Sequence, residues 1–158
     1  MLKWLWISLV VIVFDQLTKQ LATDALILHE PVAILPYINL TLVHNAGAAF
    51  SFLSDASGWQ RWFFIALALV VSVVILFWMR GLPGNAMRTA IPLALILGGA
   101  LGNVWDRIQY GYVVDFIDVY YDQWHWPAFN VADSSITIGT ILLIADALWG
   151  ARHQHNKL

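Results

Sequence analysis

The sequence predicts an all-α integral membrane protein: four transmembrane helices, a small β-sheet on the outer face and an interfacial aromatic segment. Three observations lead there. The 158 residues are 60% hydrophobic and only 11% charged, where an ordinary soluble domain is about a quarter charged. The apolar residues gather in four blocks, each close to the roughly 20 residues that a crossing helix needs. Lys and Arg are shared unevenly between the connections, the mark of a fixed orientation in a bilayer. Helices are the expected form, because a helix satisfies its own backbone N–H and C=O groups where there is no water. A chain of this length leaves room for one membrane-embedded domain, residues 1–158.

The first block, about 4–21, follows Lys3 and resembles a signal peptide in its short apolar run. Asp15 and Lys19 come directly after that run, and no Ala-x-Ala site succeeds them, so it reads as a retained helix. The apolar run before Asp15 is too short to span, which puts both charges within the outer part of the membrane. Four apart, they share a helix face and can pair, either to orient the helix or to shape a site. In the connection that follows, Ile38, Leu40 and Leu42 alternate with Asn39 and Thr41, a strand signal, and Asn45-Ala46-Gly47 reads as a turn.

The second block, about 59–79, carries Ser72 as its one polar interior residue past Arg61. The third, about 90–108, contains Pro92 and several glycines; Gly98 and Gly102 form a small-xxx-small pair suited to close helix contact. Asn103, Asp106 and Arg107 end it at offsets of three and four, which predicts one shared face. Arg107 offers a planar fork of donors for a carboxylate or a substrate carbonyl; the plainer reading is an Asp106–Arg107 network that locks the helix end. The next connection is rich in Tyr and Trp from Tyr110 to Trp126, an expected interfacial segment. The fourth block is about 132–149. Asn130 and Asp133 stand three apart at its start, where Asp133 can cap the helix or be held ionised by it.

Lys3, Arg80, Arg88, Arg152 and Lys157 flank the blocks on one side, while the connections 22–58 and 109–131 contain no Lys or Arg. The expected topology has both termini and the short loop in the cytoplasm and the long connections outside, near Asp55 and Tyr121. Asp115 and Asp133 then share the outer face, each beside hydrophobic sequence. Two carboxyl groups that meet there suit acid–base chemistry in which one holds a proton and the other does not. Net charge of −2 argues against nucleic acid, and the absence of cysteine excludes disulfides and thiolate metal sites. Asp115, Asp118 and Asp122 with His125 suggest a divalent-metal site if the segment is helical, though a solvated acidic face fits as well. His29, His44, His153 and His155 show no ligand spacing. Two further classes fit the residues less well: a small transporter, which would place its charges nearer the midplane, and a metal-dependent lipid-headgroup enzyme.

Five pieces in order, spread over nearly the whole chain, resemble the lipoprotein signal peptidases (signal peptidase II). They are Asp15-Gln16-Leu17-Thr18-Lys19; Asn45-Ala46-Gly47-Ala48-Ala49-Phe50-Ser51-Phe52; Gly98-Gly99-Ala100-Leu101-Gly102-Asn103-Val104-Trp105-Asp106-Arg107; Val113-Val114-Asp115-Phe116; and Phe129-Asn130-Val131-Ala132-Asp133-Ser134. The resemblance implies a catalytic pair at Asp115 and Asp133. It implies substrate-binding or site-supporting roles for Asp15, Lys19, Asn45, Asn103, Asp106, Arg107 and Asn130. It further implies a monomeric aspartic endopeptidase of the bacterial inner membrane, with its active site at the periplasmic face and no metal or other cofactor. The substrate would be a diacylglyceryl prolipoprotein, cut before its lipidated cysteine with the lipid chains left in the bilayer. Globomycin-like cyclic peptides would occupy the same site.

Overall fold

The structure is a computed structural model that describes residues 1–47 and 58–155. The Ala48–Phe52 part of the second motif and the expected outer position of Asp55 lie outside the described residues. A short 3-10 turn, Leu2–Trp4, leads into α1 (Leu5–Ala25). Two strands follow, β1 (Pro31–Leu35) and β2 (Ile38–Asn45). Helices α2 (Trp59–Gly81) and α3 (Met87–Gln109) precede β3 (Val113–Tyr121) and β4 (Trp124–His125), and α4 (Val131–His155) closes the chain. All four helices are long and apolar enough to cross a membrane.

Helix α1 turns polar residues inward and apolar ones outward, the reverse of a helix in a soluble protein. On α1 the buried residues are Ser8, Val11, Asp15, Lys19 and Ala22, at helical spacing along one stripe. Leu9, Val10, Val13, Phe14, Leu17 and Leu21 face outward. Lipid tails are as apolar as leucine, so burial of leucine drives no helix pairing in a bilayer; close approach and hydrogen bonds must do it. The third helix supplies that approach and packs against each of the other three. A Cβ at Gly98 would come within 2.9 Å of the Ser8 backbone on α1, and one at Gly99 would collide with the Ala132 carbonyl on α4. The expected Gly98/Gly102 contact is therefore present, and Gly99 adds a second one. Ser8 Oγ donates to Ala94 O at 2.7 Å, a polar link between α1 and α3.

The sheet has the order β1-β2-β3-β4, with each neighbouring pair antiparallel. The expected strand is there, but its buried residues are Asn39 and Leu42 rather than Ile38, Leu40 and Leu42 together. A register shift between Leu40 and Val43 swaps the faces partway along. The segment expected to be only an interfacial aromatic stretch is built mainly of strand. Val113-Val114-Asp115-Phe116-Ile117-Asp118 is β-branched or aromatic at four of six positions and pairs along β2. Its far end does expose aromatic rings, at Tyr121, Trp124 and Trp126. Gly111, at φ 89°, turns the chain from the end of α3 into β3, a conformation that costs a residue with a Cβ.

Candidate active site

One polar cluster ties α1 to α3. Lys19 Nζ lies 2.8 Å from Asp15 Oδ2 and 2.9 Å from Asp106 Oδ2, and donates to Asn103 Oδ1 at 3.0 Å. All three ammonium protons thus have acceptors, and Lys19 is only 3% exposed. Gln16 Nε2 reaches Asp106 Oδ1 at 2.8 Å and Asp15 Oδ2 at 3.2 Å. The other oxygen of Asp15 accepts from the Ala132 N–H at 2.9 Å, one of the open donors of the first turn of α4. Asp106 Oδ2 accepts from Val114 N at 3.0 Å, which fixes the start of β3 against α3. Gly102 makes room: a Cβ there would stand 2.7 Å from Asp15 Oδ2.

The second cluster is built on amides. Asn130 is the N-cap of α4: its Oδ1 accepts from Asp133 N at 2.9 Å, and Asp133 Oδ2 accepts from Asn130 N at 3.3 Å, a reciprocal capping box. Asn130 Nδ2 donates to Asp115 Oδ1 at 2.7 Å, so a single side chain bridges the two aspartates. Asn45 Nδ2 donates to Asp115 Oδ2 at 3.0 Å, and Asn103 Nδ2 donates to Asp133 Oδ1 at 2.8 Å. Burial, and after it the neighbouring charge of Asp133, push the Asp115 carboxyl up to about 7, against the opposing hydrogen bonds from Asn45 and Asn130. A carboxyl group at that value can hold or release a proton near neutrality.

A cleft of about 610 Å³ opens onto this cluster. Asn45, Asn103, Arg107 and Asp133 are among its polar lining; the Trp126–Phe129 segment forms one wall, and Ile136, Thr137 and Ile138 of α4 line another part. Asp115 is 1% exposed and lies behind Asn45 rather than on the lining. Arg107 donates to Gly47 O at 3.1 Å and to Asn103 O at 3.4 Å, with its guanidinium 5.1 Å from the Phe64 ring centre.

All nine expected site residues fall in these two clusters or on the cleft. Two details differ from expectation. Asp106 and Arg107 do not form a network with each other among the described residues: Asp106 points to α1 and Arg107 to Gly47 and α2. Adjacent helix positions diverge by about 100°, so only offsets of three and four share a face. The metal constellation also dissolves. On a strand, Asp115 and Asp118 project to opposite faces, and among the described residues no group of three His, Asp or Glu is placed to hold a metal. Asp118 is buried, not part of a solvated acidic face. Gln16 was not expected; its signal was an amide beside Asp15 in a helix otherwise committed to lipid.

The family model for signal peptidase (SPase) II matches residues 7–149. The chain belongs to the signal peptidase II family. A lipoprotein signal peptidase of Alteromonas mediterranea is 54% identical over 145 residues, 92% of this chain and 80% of that protein. One from Acinetobacter baylyi is 55% identical over 148 residues, 94% of this chain and 83% of its own length. Among solved structures, a bacterial membrane enzyme at 2.3 Å resolution superimposes with a TM-score of 0.84 at 31% identity, covering 94% of this chain and 89% of that one. A second, at 1.9 Å, gives 0.79 at 33% identity and 92% coverage of both. The family is one of proteases.

Proposed function

We propose that this protein removes signal peptides from prolipoproteins as a membrane aspartic endopeptidase, with Asp115 and Asp133 as its reacting pair. The observation that carries the reading is Asn130, which grips Asp115 through its amide and closes a capping box with Asp133. Among the described residues, the hydrogen-bond partners of the two carboxyl groups held there are neutral amides. Asp133, at the positive end of the α4 dipole, suits the ionised base; Asp115, pushed up to about 7, suits the acid.

Asp133 takes a proton from water as its oxygen attacks the scissile carbonyl carbon, and Asp115 gives its proton to the carbonyl oxygen. In the second step the gem-diol returns a proton to Asp115. Asp133 passes its own to the departing amine, and the C–N bond breaks. Asn45, which lines the cleft and donates to Asp115, is the contact that gives way to substrate. The Ile136–Ile138 side of the cleft suits the diacylglycerol chains of a lipidated cysteine, and a globomycin-like cyclic peptide would compete there. The enzyme acts as a monomer in the bacterial inner membrane, its cleft at the periplasmic face.

Incubating the purified protein with a diacylglyceryl prolipoprotein and with its unlipidated form tests this. Mass spectrometry should find one cut, before the lipidated cysteine, and none in the unlipidated form. Cleavage elsewhere, or indifference to lipid, would overturn the proposal. The orientation has its own check. A single cysteine at position 121 should label from the periplasmic side and one at position 84 should not; the reverse pattern would put the pair in the cytoplasm.

A further inference from the structure

On the sheet face away from Asp115 sits a second titratable pair that the proposed chemistry does not use. Asp118 is 6% exposed, yet three side chains from two strands converge on it. Asn39 Nδ2 and Thr41 Oγ1 of β2 donate to its Oδ2 at 3.3 and 3.1 Å. His125 Nδ1, on β4, lies 2.8 Å from its Oδ1. The His125 ring is half-exposed and stacks on Tyr120, its cross-strand partner, at 5.4 Å.

β4 is two residues long and pairs with β3 only at Tyr120↔His125 and Tyr121↔Trp124. Two ladder positions are a weak anchor for the chain that follows. That chain is the cleft wall, Trp126–Phe129. Its far end is fixed, since Phe129 N donates to Ile117 O at 3.1 Å and Ile117 N to Phe129 O at 2.9 Å. Its near end has the Trp126 N to Val119 O bond at 2.8 Å and, one residue earlier, the His125–Asp118 contact.

We propose that Asp118 and His125 are positioning residues for the cleavage reaction: their contact pins the near end of the Trp126–Phe129 wall and so sets how firmly the cleft grips substrate peptide. The inference rests on the reading that this cleft binds substrate. It locates the effect in binding, because neither residue touches the Asp115–Asp133 pair.

Steady-state kinetics on a lipidated prolipoprotein, with thermal melts on each variant, test it. His125→Phe keeps a ring over Tyr120 but has no donor for Asp118; it should raise KM roughly fivefold with kcat within about twofold, the scale of one partly exposed hydrogen bond. Asp118→Leu, which has no acceptor for His125, should do the same. His125→Gln, which keeps an N–H donor, should remain near the parent KM. Trp126→Ala, in the wall itself, should raise KM and serves as the control for the cleft. If Trp126→Ala raises KM while His125→Phe and Asp118→Leu do not, the positioning role is wrong and the cleft reading stands. If Trp126→Ala leaves KM unchanged, the cleft reading fails and this inference with it. A His125→Gln variant as impaired as His125→Phe, or a loss confined to kcat, would also overturn the positioning role.

Discussion

Two buried carboxylate clusters meet at α3, less than one helical turn apart, and they are satisfied in opposite ways. Around Lys19, the carboxylates of Asp15 and Asp106 face a cation at 2.8 and 2.9 Å. Around Asn130, the carboxylates of Asp115 and Asp133 face amides. Among the described residues, Asn103 is the side chain that touches both groups, accepting from Lys19 and donating to Asp133. A charged partner at hydrogen-bond distance fixes where a carboxylate points and so holds geometry. Amide donors are weaker partners than cations, so burial and the neighbouring charge keep the proton equilibrium of Asp115 near neutral pH. One cluster is therefore suited to holding four elements together, α1, α3, β3 and α4, and the other to moving protons.

The largest effect should come from breaking the amide-bound pair. Asp115→Asn and Asp133→Asn should each lower turnover of a lipidated prolipoprotein by roughly 10²–10⁴-fold, with insertion and fold retained. Substantial turnover by either folded variant would remove the distinction between the clusters.

Breaking the cation-bound cluster should instead be felt in stability. Lys19→Met leaves two carboxylates buried without a counter-charge, a loss of about 3–5 kcal/mol, read as a lower unfolding midpoint in micelles. Adding Asp106→Asn should recover part of it. A Lys19→Met protein as stable as the parent would mean the cluster is not a clamp.

Acidity sharpens the contrast next. The Asp115 carboxyl is raised from the usual range to about 7, so between about pH 4 and 7 the folded protein binds a proton that the unfolded chain has released. Folding stability from this group therefore falls as pH rises through that window and is level above it. The melting temperature of Asp115→Asn relative to the parent should climb across the same interval. Turnover should follow a bell whose alkaline limb begins near 7, its limbs belonging to the coupled pair. A rate still rising well above pH 8 would show that no protonated carboxyl is required.

The smallest expected effect is none: excess EDTA should leave turnover unchanged. Loss of activity restored by a divalent cation would reinstate a metal reading.

Much of this was legible in the sequence, for reasons that mark its limits. The four spans could be read because a bilayer demands long apolar runs, and Asn130 with Asp133 because a cap has a fixed offset of three. The Asp15–Lys19 pair was legible for the same reason. Strand β3 was hard to see because Val113 to Phe116 are buried on both faces, which erases the alternation that reveals a half-buried strand. Helical spacing grouped Asp118 with His125, but as metal ligands beside Asp115 and Asp122 rather than as the direct contact between strands that the structure shows. The Lys19–Asp106 contact, 87 positions apart, and the arrival of the Ala132 N–H at Asp15 are tertiary facts that no local pattern announces.

The central place of α3 has a consequence for biogenesis. Helices reach the bilayer in chain order, so α1 arrives carrying a carboxylate and an ammonium before Asp106, Asn103 or Ala132 exists to meet them. Because Asp15 and Lys19 lie four apart, the helix carries its own counter-ion through that interval and enters the lipid as a nearly neutral rod. Only when the glycine face of α3 docks can the pair exchange this provisional partnership for the shared one. Only when α4 follows is the last oxygen of Asp15 occupied. Assembly is thereby ordered so that the site's electrostatic frame closes with the final helix, and a truncated or stalled chain carries the charges without the pocket.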